Sequence, residues 1–418
     1  MAAVLENPAL PRSILDTDLY KLTMQQAVLR HFPDVQATYR FTNRNKNITF
    51  SRQFVDKYRA SVSLFTDIIL TPDERAWLES KCPYFTKDYL DYLSSFRFKP
   101  EQVHINFVPT SEDGLAGQVE ISTSGSWVET ILWEVPLLAI LSETYFLVDD
   151  TDWTYDGQEE LAYTKGKTLY DAGCWLSEFG TRRRRSSQAQ DIVMQGLIRA
   201  SKDNTNPQGR LSGTSNVHLA HKYDLAPIGT IAHEWFMGIG ALQGYEHVND
   251  ISLQLWEEAY PNTPALLIAL TDTFSTDAFF NEISKNPARA IKWTGLRQDS
   301  GDPLLFAPKV KETYDKIGIE GRDKLVIYSD SLNVDKALKI KRQCDELGFK
   351  KVSFGIGTFL TNDFRTVSSG LKETSKAHNI VIKLATLNGQ PCVKISDDLD
   401  KNTGDKDTVA HVKRVFNL

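Results

Sequence analysis

From residue 262 onward the chain alternates short apolar runs with helical patterns, and this alternation restricts the fold more than any other feature. PALLIALTDT, TGLRQDS, KLVIYSDS and KKVSFGIGT read as strands. STDAFFNEIS, FAPKVKETYDKIG and VDKALKIKRQCDELG read as the helices between them. Strand, helix and strand in series, joined by right-handed crossovers, build a parallel sheet or barrel. In a barrel the site lies at the C-terminal strand ends. Those ends carry Asp272, Arg297, Asp299, Ser329, Asp330, Gly355, Gly357 and Thr358.

The rest of the chain is organised differently. Residues 1–125 mix a helical pattern, LYKLTMQQAVLRHF, with strand-like pieces, ATYRFTNR and QVEIST, and read as an α+β domain. An α/β barrel domain is expected over 126–385, opening with the apolar stripe WVETILWEVPLLAILSETYFLV. Residues 386–418 begin with an NGQPC hairpin and return to the N-terminal domain. The net charge of -6 exerts no global pull on nucleic acid or acidic membranes, so neither is expected as a partner. No run of 18 apolar residues occurs, and Glu6 interrupts the N-terminus where a signal sequence would need an apolar core. Cys82, Cys174, Cys344 and Cys392 form no CxxC pair and read as free thiols of a cytoplasmic protein. The run Arg182 to Arg185 has the character of an import signal, which leaves nuclear access open.

Several short stretches could carry chemistry. FGIGT offers backbone N–H groups with no side chain in the way, as a tight turn or a phosphate cradle. LRQDSGDP places Arg297 and Asp299 on one face of a strand end, either as an ion pair before a capped helix or as a grip on an anion and a sugar diol. EFGTRRRRSSQ is the one strongly basic cluster; its default meaning is a solvated helix face, although arginine forks also bind phosphates. PIGTIAHEWFMG pairs His233 with Glu234 but has Met237 where a zincin helix needs a second histidine. If the segment is extended, Glu234 points away from His233 and has no role. His218 and His221 of VHLAH, with His233, would serve a barrel metallohydrolase, the remote alternative.

Taken together, DTDLYKLTM, EFGTRR, GTSN, GTIAHEW, LRQDSGD and FGIGT occur in an order that resembles the nicotinate phosphoribosyltransferase family, in its shorter microbial and fungal form, over residues 14–412. The resemblance implies the irregular α/β barrel of the type II phosphoribosyltransferases with an N-terminal α+β domain. It also implies a reaction: nicotinate and phosphoribosyl pyrophosphate give nicotinate mononucleotide and pyrophosphate, coupled to ATP hydrolysis with Mg²⁺, as the entry to NAD synthesis. By motif position His233 is the residue transiently phosphorylated, and it shares the catalytic roles with Asp299 and Arg297. Tyr20 and Phe179 match the aromatic pair that sandwiches the ring, while Arg182 and Arg297 lie beside the carboxylate or a phosphate, with Arg183 as a further candidate. Asp299 and Asp330 match the ribose-binding acids. Gly357 and Thr358 match the 5′-phosphate turn, and Thr214, Ser215 and Ser329 complete the substrate-binding set.

No metal site built by the protein alone is implied. Ser215 stands where nicotinamide-using relatives carry Asp. A hydroxyl donates to a carboxylate that an aspartate would repel, so Ser215 favours nicotinate over the amide. The alternative reading is a nicotinamide or other type II phosphoribosyltransferase. In many relatives the residue matching Tyr20 comes from a neighbouring subunit, which implies a homodimer; a monomer remains open for the shorter form.

Overall fold

The computed structural model describes residues 8–398 and 402–418, so Glu6 lies outside the described residues. In chain order the first strands are β1 (Gln36–Asn43), β2 (Phe50–Ser51), β3 (Val103–Pro109) and β4 (Ala116–Ser126). Next come β5 (Trp175–Glu178), β6 (Arg210–Thr214), β7 (Ile268–Leu270), β8 (Gly295–Gln298), β9 (Leu325–Tyr328) and β10 (Val352–Ile356). A small ribbon, β11 (Phe364–Arg365) and β12 (Thr374–Ser375), precedes β13 (Ile380–Leu387) and β14 (Gln390–Pro391).

Strands β5 to β10 are all parallel and pair in the order β6-β5-β10-β9-β8-β7. Followed around a circle, that order is the order of the sequence, as in a βα barrel. The one seam lies between β6 and β7, where residues 227–231 bridge the gap without forming a strand. Ile228 N donates to Thr214 O at 2.8 Å, and Thr230 Oγ1 reaches Ile268 O at 3.5 Å. The barrel is irregular for this reason. β7 and β10 are buried along their whole length, which is why they read as continuous apolar runs rather than alternating ones. The helices expected between them form at Thr276–Ile283, Pro303–Lys316 and Val334–Glu346.

The N-terminal unit is an antiparallel sheet in the order β14-β13-β1-β4-β2, with β3 on the other edge of β4. β1 alternates: Ala37 and Tyr39 are buried, Arg40 and Thr42 exposed. β13 pairs with β1 from Ile380 opposite Asn43 to Leu387 opposite Ala37. The return to the N-terminal sheet therefore starts at residue 380, and the boundary expected at 385 falls inside a strand. Asn388 and Gly389, both with positive φ, make the two-residue turn between β13 and β14.

Between sheet and barrel lies the helix Glu134–Val148, buried for most of its length. The stretch Trp127–Val148 is long and apolar enough to cross a membrane, but 78% of that window is buried inside the fold, so its apolar surface is used in the core. All four cysteines are buried and free.

Candidate active site

His233 opens the helix His233–Gln243, after Ala232 in an extended conformation. The segment is thus not extended through Glu234, as one reading of the sequence assumed. A helical start sends the two neighbouring side chains in different directions: Glu234 enters the core, and His233 faces the strand ends. Its Nδ1 lies 3.0 Å from Thr273 Oγ1. Its Nε2 lies 3.0 Å from Asp299 Oδ2, 2.9 Å from Lys394 Nζ and 3.7 Å from Asp272 Oδ1.

One ring nitrogen cannot donate to Asp299 and accept from an ammonium at once, so the ring has two competing hydrogen-bond arrangements. Burial, and then the Lys394 charge, lower the imidazole pKa against the pull of Asp272 and Asp299, which keeps the ring neutral near pH 7. Asp272 is fully buried and accepts from Lys394 Nζ at 3.0 Å and Ser300 Oγ at 2.5 Å through Oδ2. Its Oδ1 has no hydrogen-bond partner.

The ends of β8 and β9 meet beside this histidine. Arg297 donates from Nη2 to Asp299 Oδ1 at 3.0 Å and from Nε to Ser329 Oγ at 2.8 Å, and Ser329 donates in turn to Asp299 Oδ1 at 2.5 Å. Burial by itself raises the Asp299 carboxyl; Arg297, His233 and Lys394 together pull it well below the usual carboxylate range. Asp330 follows at the exposed rim. At the end of β10, a side chain added at Gly357 would lie 2.6 Å from Phe179 O, so only glycine fits. Thr358 begins a single helical turn, Thr358–Thr361, whose first N–H groups have no intrahelical acceptor. The Phe179 ring lies over Gly355, and Phe179 N donates to Ile356 O at 2.8 Å.

The arginine run departs from the expectation of a solvated helix face, because its four side chains diverge around one 3-10 turn, Thr181–Arg183. Arg182 stays 44% exposed, with Nη1 3.3 Å from Glu134 Oε1. Arg183 donates from Nε to Ile380 O at 2.9 Å, and burial lowers its pKa to about 10. Arg184 is buried in a two-pronged pair with Asp16, at 2.7 and 2.8 Å. Arg185, with no exposed surface, lies 3.6 Å from the Phe146 ring centre and donates to Ser375 Oγ at 2.8 Å. With Arg184 and Arg185 buried, the run is not a continuous solvated stretch of four charges.

GTSN also departs from expectation. Thr214 donates its hydroxyl to Glu178 Oε2 at 2.6 Å, and Ser215 donates to Asp18 Oδ1 at 2.7 Å; neither residue has exposed surface. The Ser215 proton is therefore committed to Asp18 rather than presented to a ligand. Burial raises the carboxyl of Asp18, against Arg182 and Ser215, and that of Glu178 to about 7. The backbone before Tyr20 packs on the same segment: Leu19 N donates to Ser215 O at 2.8 Å, and any side chain at Gly229 would lie 2.9 Å from Tyr20 N.

Lys394, Thr273, Asp18 and Glu134 were not singled out from the sequence. Lys394 arrives from the C-terminal segment, which is pinned where Ile395 N donates to Thr273 O at 2.8 Å and Thr276 N donates to Asp397 Oδ1 at 2.6 Å. Its only local signal is a lysine between two apolar residues, Val393 and Ile395, both fully buried. The metal reading of VHLAH has no support. His221 lies 3.4 Å from Asp73, and among the described residues no group of three or more His, Cys, Asp or Glu could hold a metal ion.

The comparisons fit this geometry. The model of the nicotinate phosphoribosyltransferase (NAPRTase) family matches residues 174–418, and that of its N-terminal domain matches residues 15–142. A nicotinate phosphoribosyltransferase of Saccharomyces cerevisiae is 43% identical over 409 residues, covering 96% of this chain and 94% of its own. One from Methanosarcina mazei is 42% identical over 416 residues, covering 95% and 96%. A crystal structure of a family protein from Saccharomyces cerevisiae superposes with a TM-score of 0.94 at 40% identity, covering 99% of both chains. With a barrel of this order, strand ends of this composition and full-length similarity of this degree, the chain belongs to the nicotinate phosphoribosyltransferase family.

Proposed function

We propose that the protein joins nicotinate to phosphoribosyl pyrophosphate, giving nicotinate mononucleotide and pyrophosphate, and couples this to ATP hydrolysis through a phosphohistidine at His233. The observation that carries the reading is the neutral imidazole of His233 set among Asp299, Lys394 and Asp272 at the strand ends, beside the Arg297 and Ser329 cluster. In the transferase step the pyridine nitrogen forms a bond to ribose C1′ as the C1′–O bond to pyrophosphate breaks. Asp299, kept ionised by Arg297, takes the ribose hydroxyls and favours the positive charge that develops on the sugar. Asp330 at the rim assists it, and Gly357 and Thr358 hold the 5′-phosphate. Tyr20 and Phe179 flank the ring, with Arg182 and Arg183 on the side of its carboxylate.

In the coupling step a ring nitrogen of His233 attacks the γ-phosphorus, the bridging P–O bond breaks and ADP leaves; water later cleaves the P–N bond. Lys394, against Nε2, offsets charge on the incoming phosphoryl oxygens. Magnesium, when bound, neutralises the substrate phosphates, and Asp272, with its unpaired Oδ1, and Asp299 would hold it together with those phosphates.

Substrate choice rests on the Ser215–Asp18 pair. An aspartate at 215 would set a second carboxylate beside Asp18, and the two would face the substrate's own as a third. The test is mononucleotide formation from nicotinate or nicotinamide, with and without Mg-ATP, in the wild type, His233→Ala and Ser215→Asp. Nicotinate turnover stimulated by ATP, with the stimulation lost in His233→Ala and turnover reduced in Ser215→Asp, is expected. A preference for nicotinamide would select the alternative reading, and stimulation persisting without His233 would remove the phosphohistidine.

A further inference from the structure

Behind the site lies a cluster of buried charges that the proposed chemistry leaves unused. Lys21 has no exposed surface; its Nζ lies 2.6 Å from Glu134 Oε2 and 2.5 Å from Glu234 Oε2. Glu234 Oε1 accepts from Tyr39 Oη at 2.5 Å and from Trp127 Nε1 at 2.9 Å. The remaining oxygen of Glu134 faces Arg182 Nη1 at 3.3 Å, the longest contact of the cluster. Two carboxylates and two cations balance only if Arg182 is counted, so the cluster and the site share a charge.

Each member is also tied to a different part of the site. Lys21 follows Tyr20 at the start of the helix Leu19–His31. Glu134 opens the helix Glu134–Val148 and holds Arg182. Glu234 follows His233 in the first turn of its helix. These side chains come from three separate elements, yet they converge on one ammonium.

We infer that Lys21, Glu134 and Glu234 are positioning residues that couple the ring and carboxylate subsite, at Tyr20 and Arg182, to the helix start that carries His233. The inference rests on the reading proposed above and deepens it by naming what joins the two half-sites. When an anionic ring takes Arg182, Glu134 turns more fully to Lys21, and the shift is felt at Glu234 and the first turn of the His233 helix. By linkage, a change of charge or position at His233 acts back on Arg182 by the same factor. Coupling requires that the ionic run shift between Arg182 and Lys21, and the 3.3 Å contact of Glu134 with Arg182 against 2.6 Å with Lys21 is where that shift is easiest.

The test is the ratio of nicotinate KM without and with Mg-ATP, measured on the full chain for the wild type and for Glu134→Gln. Glutamine keeps the shape and an acceptor for Lys21 but loosens the hold on Arg182. A wild-type ratio of several-fold falling towards one in Glu134→Gln, with kcat in saturating nicotinate changed less than threefold, is expected. A purely structural role would lower the active fraction and hence kcat while leaving that ratio alone. Because removing one charge from a buried pair can prevent folding, Tyr39→Phe, which takes a single donor from Glu234, is run beside it and should move the ratio the same way by a smaller step. An unchanged ratio in both folded variants overturns the coupling and leaves the reaction standing. A wild type that turns nicotinate over with no ATP effect on KM overturns the coupling directly, and a wild type that does not use nicotinate overturns the reaction itself.

Discussion

Around His233 two acids and a lysine compete for one ring nitrogen, whereas around Arg184 two carboxylate oxygens of Asp16 meet two guanidinium nitrogens one to one. The residue types are similar and both clusters hang from the same barrel. The Asp16 carboxylate is fully occupied, taking a further donor from Asn216 at 2.8 Å, and the pair lies out of solvent. Near His233 the ring is 19% exposed, Asp272 keeps an unpaired oxygen, and Nε2 has more partners than it can serve. A buried two-pronged ion pair holds a fold even with Arg184 Nε left unpaired, while surplus partners at a half-open face leave hydrogen-bonding capacity that a ligand can take.

The contrast breaks most visibly at Asp16. Asp16→Ala leaves the Arg184 charge buried without its partner, and we expect a loss of about 3–5 kcal/mol in denaturant unfolding. Burial alone raises the Asp16 carboxyl, but Arg184 and Asn216 bring it well below its ordinary 3.8. The stability it supplies is therefore complete above that value and is lost as the pH falls through the folded-state pKa. The wild type should lose more stability than the variant over this acid range, because the variant keeps only the limb of the other depressed carboxylates such as Asp299 and Glu134. A variant as stable as the wild type would mean that the Arg184 cluster is no more structural than the site.

Asp299→Asn should do the opposite, with kcat/KM for nicotinate falling about 10²–10³-fold while the thermal midpoint stays close to wild type. Equal damage to both would merge the two regions into one class. The smallest effect is expected at Lys394→Met. Lys394 helps burial to lower the His233 pKa below 6.5, so its removal raises that pKa. The ATP-stimulated rate depends on the neutral ring, so its acid limb should move to higher pH, read as a fall at pH 6 a few-fold larger than the fall at pH 8, where only the lost Lys394 charge beside the phosphoryl oxygens is felt. An unmoved limb would show that Lys394 does not set the protonation of the ring.

How much of this was legible in the sequence differs by level. β7 to β10 and the helices between them were legible because each is a local pattern with its own period. Asp299 and Arg297 were legible because they alternate on one strand end, and Gly357 because a glycine turn after a late barrel strand is a local signal. The arginine run was misread, since its charge count says nothing about Asp16, Phe146 and Ser375, which meet Arg184 and Arg185 from distant parts of the chain. GTSN shows a serine hydroxyl at 215, but nothing in the segment announces that Asp18 lies 2.7 Å away and takes its proton.

By itself the sequence determined the periodicities, and through them the barrel, the strand ends and the ordered motifs that mark the family. Those depend on neighbours within one turn or one strand, where residue type and spacing are sufficient. Only the tertiary structure decided which polar groups meet: Lys394 against His233, Lys21 between Glu134 and Glu234, and two arginines locked away while their neighbour Arg182 stays open. Most of these contacts join residues more than a hundred positions apart. They are set by the closure of the barrel and the return of β13 to the N-terminal sheet, whose geometry no local pattern encodes.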